Sequence, residues 1–146
     1  MALRWRDCAI TPAPPVGNER LAEVQQRLGV IFPQGYLEVM RTHQGAAPDR
    51  SLVTLGDGTR TRFSMLMHLE DRPDGLDLLG VLVRSESLPD KVIPFAVDPG
   101  DYYFCFDFRA TDVDPPVVFL ATDDSTIEPA FLADSFSELI DSLQEG

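Results

Sequence analysis

Cysteine, histidine and lysine are nearly absent: the 146 residues hold two cysteines, two histidines and a single lysine, Lys91. Cys8 and Cys105 are too few for a disulfide framework or a cysteine zinc site, and both are expected to be reduced thiols in a reducing compartment. No run of 18 uncharged apolar residues occurs, and the start Met1-Ala2-Leu3-Arg4-Trp5-Arg6-Asp7 lacks the apolar stretch of a signal peptide. The expectation is a cytoplasmic chain without a membrane span. No phosphate loop, dinucleotide fingerprint or nucleophile elbow is present. Leu55-Gly56-Asp57-Gly58-Thr59 has two glycines and no following lysine, so it reads as a turn.

The scarce reactive residues are also poorly placed for catalysis. His43 falls on an apolar helix face and His68 within a predicted strand, with no carboxylate paired locally to either, so both read as structural. Cys105 lies mid-strand between two phenylalanines, where burial is expected and a thiolate nucleophile is not.

What the chain does have is acid. Its net charge is −12, and residues 98–146 carry twelve Asp and Glu against one base, Arg109, leaving −11 in the C-terminal third and near neutrality before it. Such a field repels phosphate backbones, which argues against direct nucleic-acid binding, and attracts basic protein surfaces. Asp98, Asp101, Asp107, Asp112, Asp114, Asp123 and Asp124 could in principle gather around Mg²⁺ or Ca²⁺, but their spacing matches no EF-hand loop. Aspartate in turns also bonds nearby backbone amides, so a solvated acidic rim is the simpler reading. A metal-dependent hydrolase remains the enzymatic alternative, although no lysine or histidine accompanies these carboxylates. No catalytic residue, metal ligand or cofactor is assigned.

The hydrophobic pattern predicts an α+β fold: a single-layer, mainly antiparallel sheet with helices packed around it. After Pro and Gly punctuation over residues 12–17, Asn18 is placed to cap a helix to about Leu28, with Gly29 as a left-handed stop. Val30-Ile31-Phe32-Pro33 then forms an extended bridge. Tyr36, Leu37, Val39, Met40 and His43 give a second helix, ended by Gln44-Gly45. Residues 51–70 read as a hairpin or two short strands. Residues 76–84 are helix or buried strand, with helix preferred, because periodicity cannot separate the two at this length.

Residues 92–109 are the clearest β region, two strands around an Asp98-Pro99-Gly100-Asp101 turn. Strand alternation puts Tyr102, Phe104, Phe106 and Phe108 on one face and Tyr103, Cys105, Asp107 and Arg109 on the other. Val117-Val118-Phe119-Leu120-Ala121 suits a strand covered on both sides, and Ser135-Phe136-Ser137-Glu138 opens a last helix with a capping box. No linker, repeat or second domain is evident, so residues 1–146 are read as one domain with a core of about 18–143.

Five weak motifs in this order carry a resemblance. They are Phe32-Pro33-Gln34-Gly35-Tyr36-Leu37-Glu38-Val39-Met40 running to Gln44-Gly45, Val92-Ile93-Pro94-Phe95-Ala96, Phe104-Cys105-Phe106-Asp107, Pro116-Val117-Val118-Phe119, and Ala133-Asp134-Ser135-Phe136-Ser137-Glu138-Leu139. Together they resemble the SUKH superfamily, whose founding members are the Smi/Knr cell-wall regulators. Gln44-Gly45 stands where the family usually has Asn-Gly, and Phe32-Pro33 where it has Leu-Pro. The resemblance implies an α+β domain without catalytic residues that binds another protein. In bacteria it implies an immunity protein that neutralises a toxin, often a nuclease, of a polymorphic or contact-dependent system; the alternative is a regulatory or scaffold module. The partner would be a basic toxin domain, and the partner-binding candidates are Asp98, Asp101, Tyr102, Tyr103, Asp112, Asp114, Asp123 and Asp124, which mix carboxylates with aromatic anchors near turns and strand ends.

Overall fold

The computed structural model describes residues 4–7, 16–55, 58–69, 77–84, 90–100, 102–120 and 129–145. Cys8, the Gly56-Asp57 turn and the candidates Asp101, Asp123 and Asp124 lie outside these residues. In chain order the first half comprises β1 (Trp5–Asp7), α1 (Asn18–Leu28), α2 (Gln34–His43), β2 (Ala46–Pro48), β3 (Leu52–Thr54), β4 (Arg60–Arg62) and β5 (Met65–Leu66). The second half comprises α3 (Leu78–Arg84), β6 (Val92–Val97), β7 (Tyr103–Asp107), β8 (Val117–Leu120), β9 (Ala130–Ala133) and α4 (Phe136–Ser142).

Helix α1 buries Leu21 and Val24 and ends where Gly29 turns left-handed at φ 68°, as its sequence requires. Its start differs from expectation. Gly17 is the capping residue, without a side-chain bond, while Asn18 is already helical and its Oδ1 accepts from Arg41 Nε at 3.0 Å. The asparagine ties α1 to α2 instead of closing its own helix. Gln25 Oε1 accepts the Phe32 N–H at 2.9 Å, which orients the extended bridge before α2. Pro33 precedes α2, whose Tyr36, Leu37 and Met40 enter the core.

Strands β5-β6-β7-β8-β9 form one antiparallel sheet in sequential order, and β1-β2 and β3-β4 form two short antiparallel pairs. The alternation in β7 divides as predicted. Phe104 and Phe106, with Phe108 just beyond, join the main core, while Cys105 faces the other way among Val92, Val118 and Leu120. A register shift between Pro94 and Ala96 accommodates the proline in β6. Phe95 then stacks on Phe106 at a centroid separation of 4.1 Å, and Tyr36 meets Phe106 edge-on at 5.1 Å. A second shift, between Val117 and Val118, leaves Leu132 of β9 without an opposite residue.

The residues around 76–84 resolve as helix. Asp77 decides it, because its Oδ2 accepts the Gly80 N–H at 2.9 Å and its carbonyl accepts from Val81 N, starting α3 at Leu78. At α4, Ser135 Oγ accepts from Glu138 N–H at 3.1 Å, the first half of the predicted capping box, while the glutamate is exposed. Four strands escape the sequence reading: β1, β2, β9 and β4, the last because residues 51–70 are expected to give two strands and give β3, β4 and β5. Three or four residues are too few to show a period, and β1 exists only through pairing with β2, as in Arg6 opposite Ala47.

Candidate docking surface

The turn between β6 and β7 is held by Asp98, which is only 6% exposed. Its Oδ1 accepts from Gly100 N at 2.8 Å and Tyr102 N at 2.9 Å, and its Oδ2 accepts from the Thr61 hydroxyl at 2.7 Å. A carboxylate engaged by three donors can remain buried, and here it fastens β4 to the sheet. This corrects the expectation for Asp98, which is an internal staple and offers little to a partner. Tyr102, half-buried, packs edge-on against Phe119 at 6.0 Å, and Tyr103 is half-buried against the cluster around Cys105. Each keeps part of its surface available.

At the other end of β7, Asp107 accepts from Arg109 Nε at 2.8 Å, Nη2 at 2.9 Å and the backbone N–H at 3.0 Å. The hydrogen bonds from the Arg109 guanidinium hold the Asp107 carboxyl below the usual carboxylate range, against a smaller opposing effect of burial. The lone base of the acidic third is thus tied to a neighbour two residues away. A depressed folded-state pKa means that this pair stabilises the fold above the ordinary carboxylate value, and the contribution disappears as pH falls through the folded value. Asp107→Asn is therefore expected to lower the urea midpoint at pH 7, with the difference from the parent closing in acid. A gap that persists in acid would assign the loss to packing instead.

Beyond Arg109 the loop carries Asp112, Val113 and Asp114, all exposed. The Thr111 hydroxyl donates to Val113 O at 2.7 Å and accepts from Val113 N at 3.3 Å, and Asp114 adopts φ 46°, a left-handed geometry that aspartate tolerates. The Ile31 N–H donates to Asp112 O at 3.4 Å, which brings the bridge before α2 against this loop.

The described members of the predicted set lie at two separate places. Tyr103 pairs with Leu120 at one end of β7, whereas the Asp107 N–H bonds Pro116 O at the other. Asp98, Tyr102 and Tyr103 are therefore separated from Asp112 and Asp114 by the length of the strand, roughly 17 Å for five residues. Two exposed side chains at the second end were missed by the sequence reading, Ile31 at 58% and Val113 at 49% exposure. A signal for Ile31 existed: Val30 and Phe32 are buried on either side, so period-two alternation in the bridge turns it outward.

Among the described residues no three His, Cys, Asp or Glu side chains gather closely enough to hold a metal ion. Cys105 is fully buried, and burial first, then the nearby Asp107 charge, push its thiol well above the ordinary value, so a thiolate is disfavoured. His68 is buried with its ring against Gly45. No described helix is long and apolar enough to cross a membrane.

Comparison with known proteins agrees with the order of motifs. No curated protein matches the chain. Residues 15–142 match the SMI1 / KNR4 family (SUKH-1), a span that contains all five short motifs and the antiparallel sheet flanked by helices. The chain belongs to the SMI1 / KNR4 family (SUKH-1).

Proposed function

We propose that this chain is a non-catalytic protein-binding domain, an immunity protein that neutralises a basic toxin domain of a bacterial polymorphic or contact-dependent system. One observation carries the reading beyond the family. Residues 98–146 hold −11 of the −12 charge, and their only base, Arg109, is bound to Asp107. A toxin that handles nucleic acid presents a basic cleft, and a strongly acidic inhibitor gains association rate and specificity against such a cleft. Because the described carboxylates Asp98 and Asp112 with Asp114 lie at opposite ends of β7, the reading rests on the summed field, with Asp112 and Asp114 as exposed contact residues and Tyr102 and Tyr103 as the half-buried aromatic candidates. Asp101, Asp123 and Asp124 stay in the proposal on their charge alone.

The test uses the protein encoded beside this chain's gene. Stopped-flow mixing is expected to show association that slows at least about tenfold as NaCl rises from low to high concentration. A rate indifferent to salt removes steering. A second reading, a regulatory module of the Smi/Knr type, draws on the exposed apolar Ile31 and Val113, which steering does not require. It gains if changing Asp112 and Asp114 to Asn leaves partner binding intact.

A further inference from the structure

Three large apolar side chains are exposed among the described residues: Ile31, Val113 and Phe131. Phe131 stands alone on β9. Ile31 and Val113 are 82 positions apart in the chain, yet the Ile31 N–H···O=C Asp112 bond brings their backbones to within one residue of each other. This junction is also built to hold its shape. The Arg109 guanidinium grips Asp107 at the loop's start, the Thr111 hydroxyl bonds Val113 on both its N–H and its C=O, and the Asp107 N–H bonds Pro116 O across the base. Pro115, next in the chain, is buried. The loop tip is thus an apolar residue between two exposed carboxylates, ordered before any partner arrives.

We propose that Val113 and Ile31, flanked by Asp112 and Asp114, form the anchor of a protein-docking surface whose partner presents an apolar side chain between lysines or arginines. The inference rests on the protein-binding reading above and adds the site and the chemistry of its occupant. Charge selects that occupant. A second copy of a chain with net charge −12 would bring like charges together, whereas a basic segment gains both from the two carboxylates and from covering the apolar pair. Rigidity adds to this, because a pre-ordered loop loses less conformational freedom on binding. Such an arrangement, an apolar centre with a charged rim, is where binding energy concentrates in protein interfaces.

The experiment is a titration of the full-length ¹⁵N-labelled chain with a capped hexapeptide of alternating lysine and leucine, followed by amide shifts. Peptides of alternating lysine and serine, and glutamate and leucine, serve as comparisons. Shifts at Ile31 and residues 111–114 are expected, and the lysine-leucine peptide should bind at least about fivefold more tightly than either comparison. The double variant Ile31→Ser, Val113→Ser should fold normally, as judged by unchanged shifts in the core, and lose that advantage. Binding that maps to Phe131 and β9, or survives the double variant, overturns this site and leaves the basic-partner reading standing. Shifts at the loop that depend on protein concentration without peptide assign the surface to a second copy and also overturn it. No binding up to about 1 mM peptide defeats this site, while the basic-partner reading falls only with an association rate indifferent to salt.

Discussion

Gly45→Ala is expected to cost about 3 kcal/mol, seen as a large fall in the urea midpoint with an unchanged slope. Two effects combine. Gly45 sits at φ 75°, where an L side chain adds roughly 1 kcal/mol of strain. A Cβ there would also overlap Cε1 and Nε2 of His68, whose ring is buried and has little room to swing aside. The same junction is held by the Gln44 Oε1 bond from Leu69 N at 3.2 Å and by Arg20 Nε donating to Leu69 O at 2.9 Å, so the backbone on the far side is fixed as well. In a His68→Ala background the overlap vanishes, and the same glycine change should cost only the backbone strain of about 1 kcal/mol. Additive costs in that cycle would show that the imidazole does not enforce the glycine.

The second large effect belongs to Phe106. It stacks on Phe95 and also meets Tyr36, Phe32 and Phe136, so Phe106→Ala removes the ring on which two helices and the sheet converge. A loss of about 4 kcal/mol is expected, or roughly 10 °C in Tm for a chain of this size. Its neighbour Tyr36 makes the contrast. The Tyr36 hydroxyl is buried without a hydrogen-bond partner among the described residues, and burial pushes its pKa upward, so it remains neutral. Tyr36→Phe should therefore cost nothing and stabilise by up to about 1 kcal/mol, since a lost orphan hydroxyl removes a desolvation penalty. Calorimetry on both variants checks the pair, and a loss in Tyr36→Phe comparable to that in Phe106→Ala would mean the hydroxyl is satisfied.

The aromatic face was legible because strand alternation is a local rule: Phe104, Phe106 and Phe108 needed only their spacing to be placed together. The stop at Gly29 and the cap at Ser135 were legible for the same reason, since each depends on residues within one turn. Asp98 was misread because its donors include Thr61, 37 positions earlier, and nothing local distinguishes a buried turn carboxylate from an exposed one. Asn18 failed likewise through Arg41. The separation of Asp98 from Asp112 and Asp114 follows from hairpin geometry, in which consecutive turns alternate ends. That rule was available from the predicted strands, but choosing candidates as turn and strand-end residues does not say which end each turn occupies. Ile31 was legible in part, but its meeting with Val113 depends on how a bridge and a loop pack, which no periodicity encodes.

One edge of the sheet is a four-residue strand, and the register shift opposite Val117 and Val118 interrupts even that. Among the described residues, incoming chains therefore meet no long, straight row of backbone donors and acceptors on this border, and fibril growth from it is starved of a template. Mutual repulsion supplies a separate brake, but it fades as the solution approaches the isoelectric point near pH 4.3, and there the crooked border stands guard by itself.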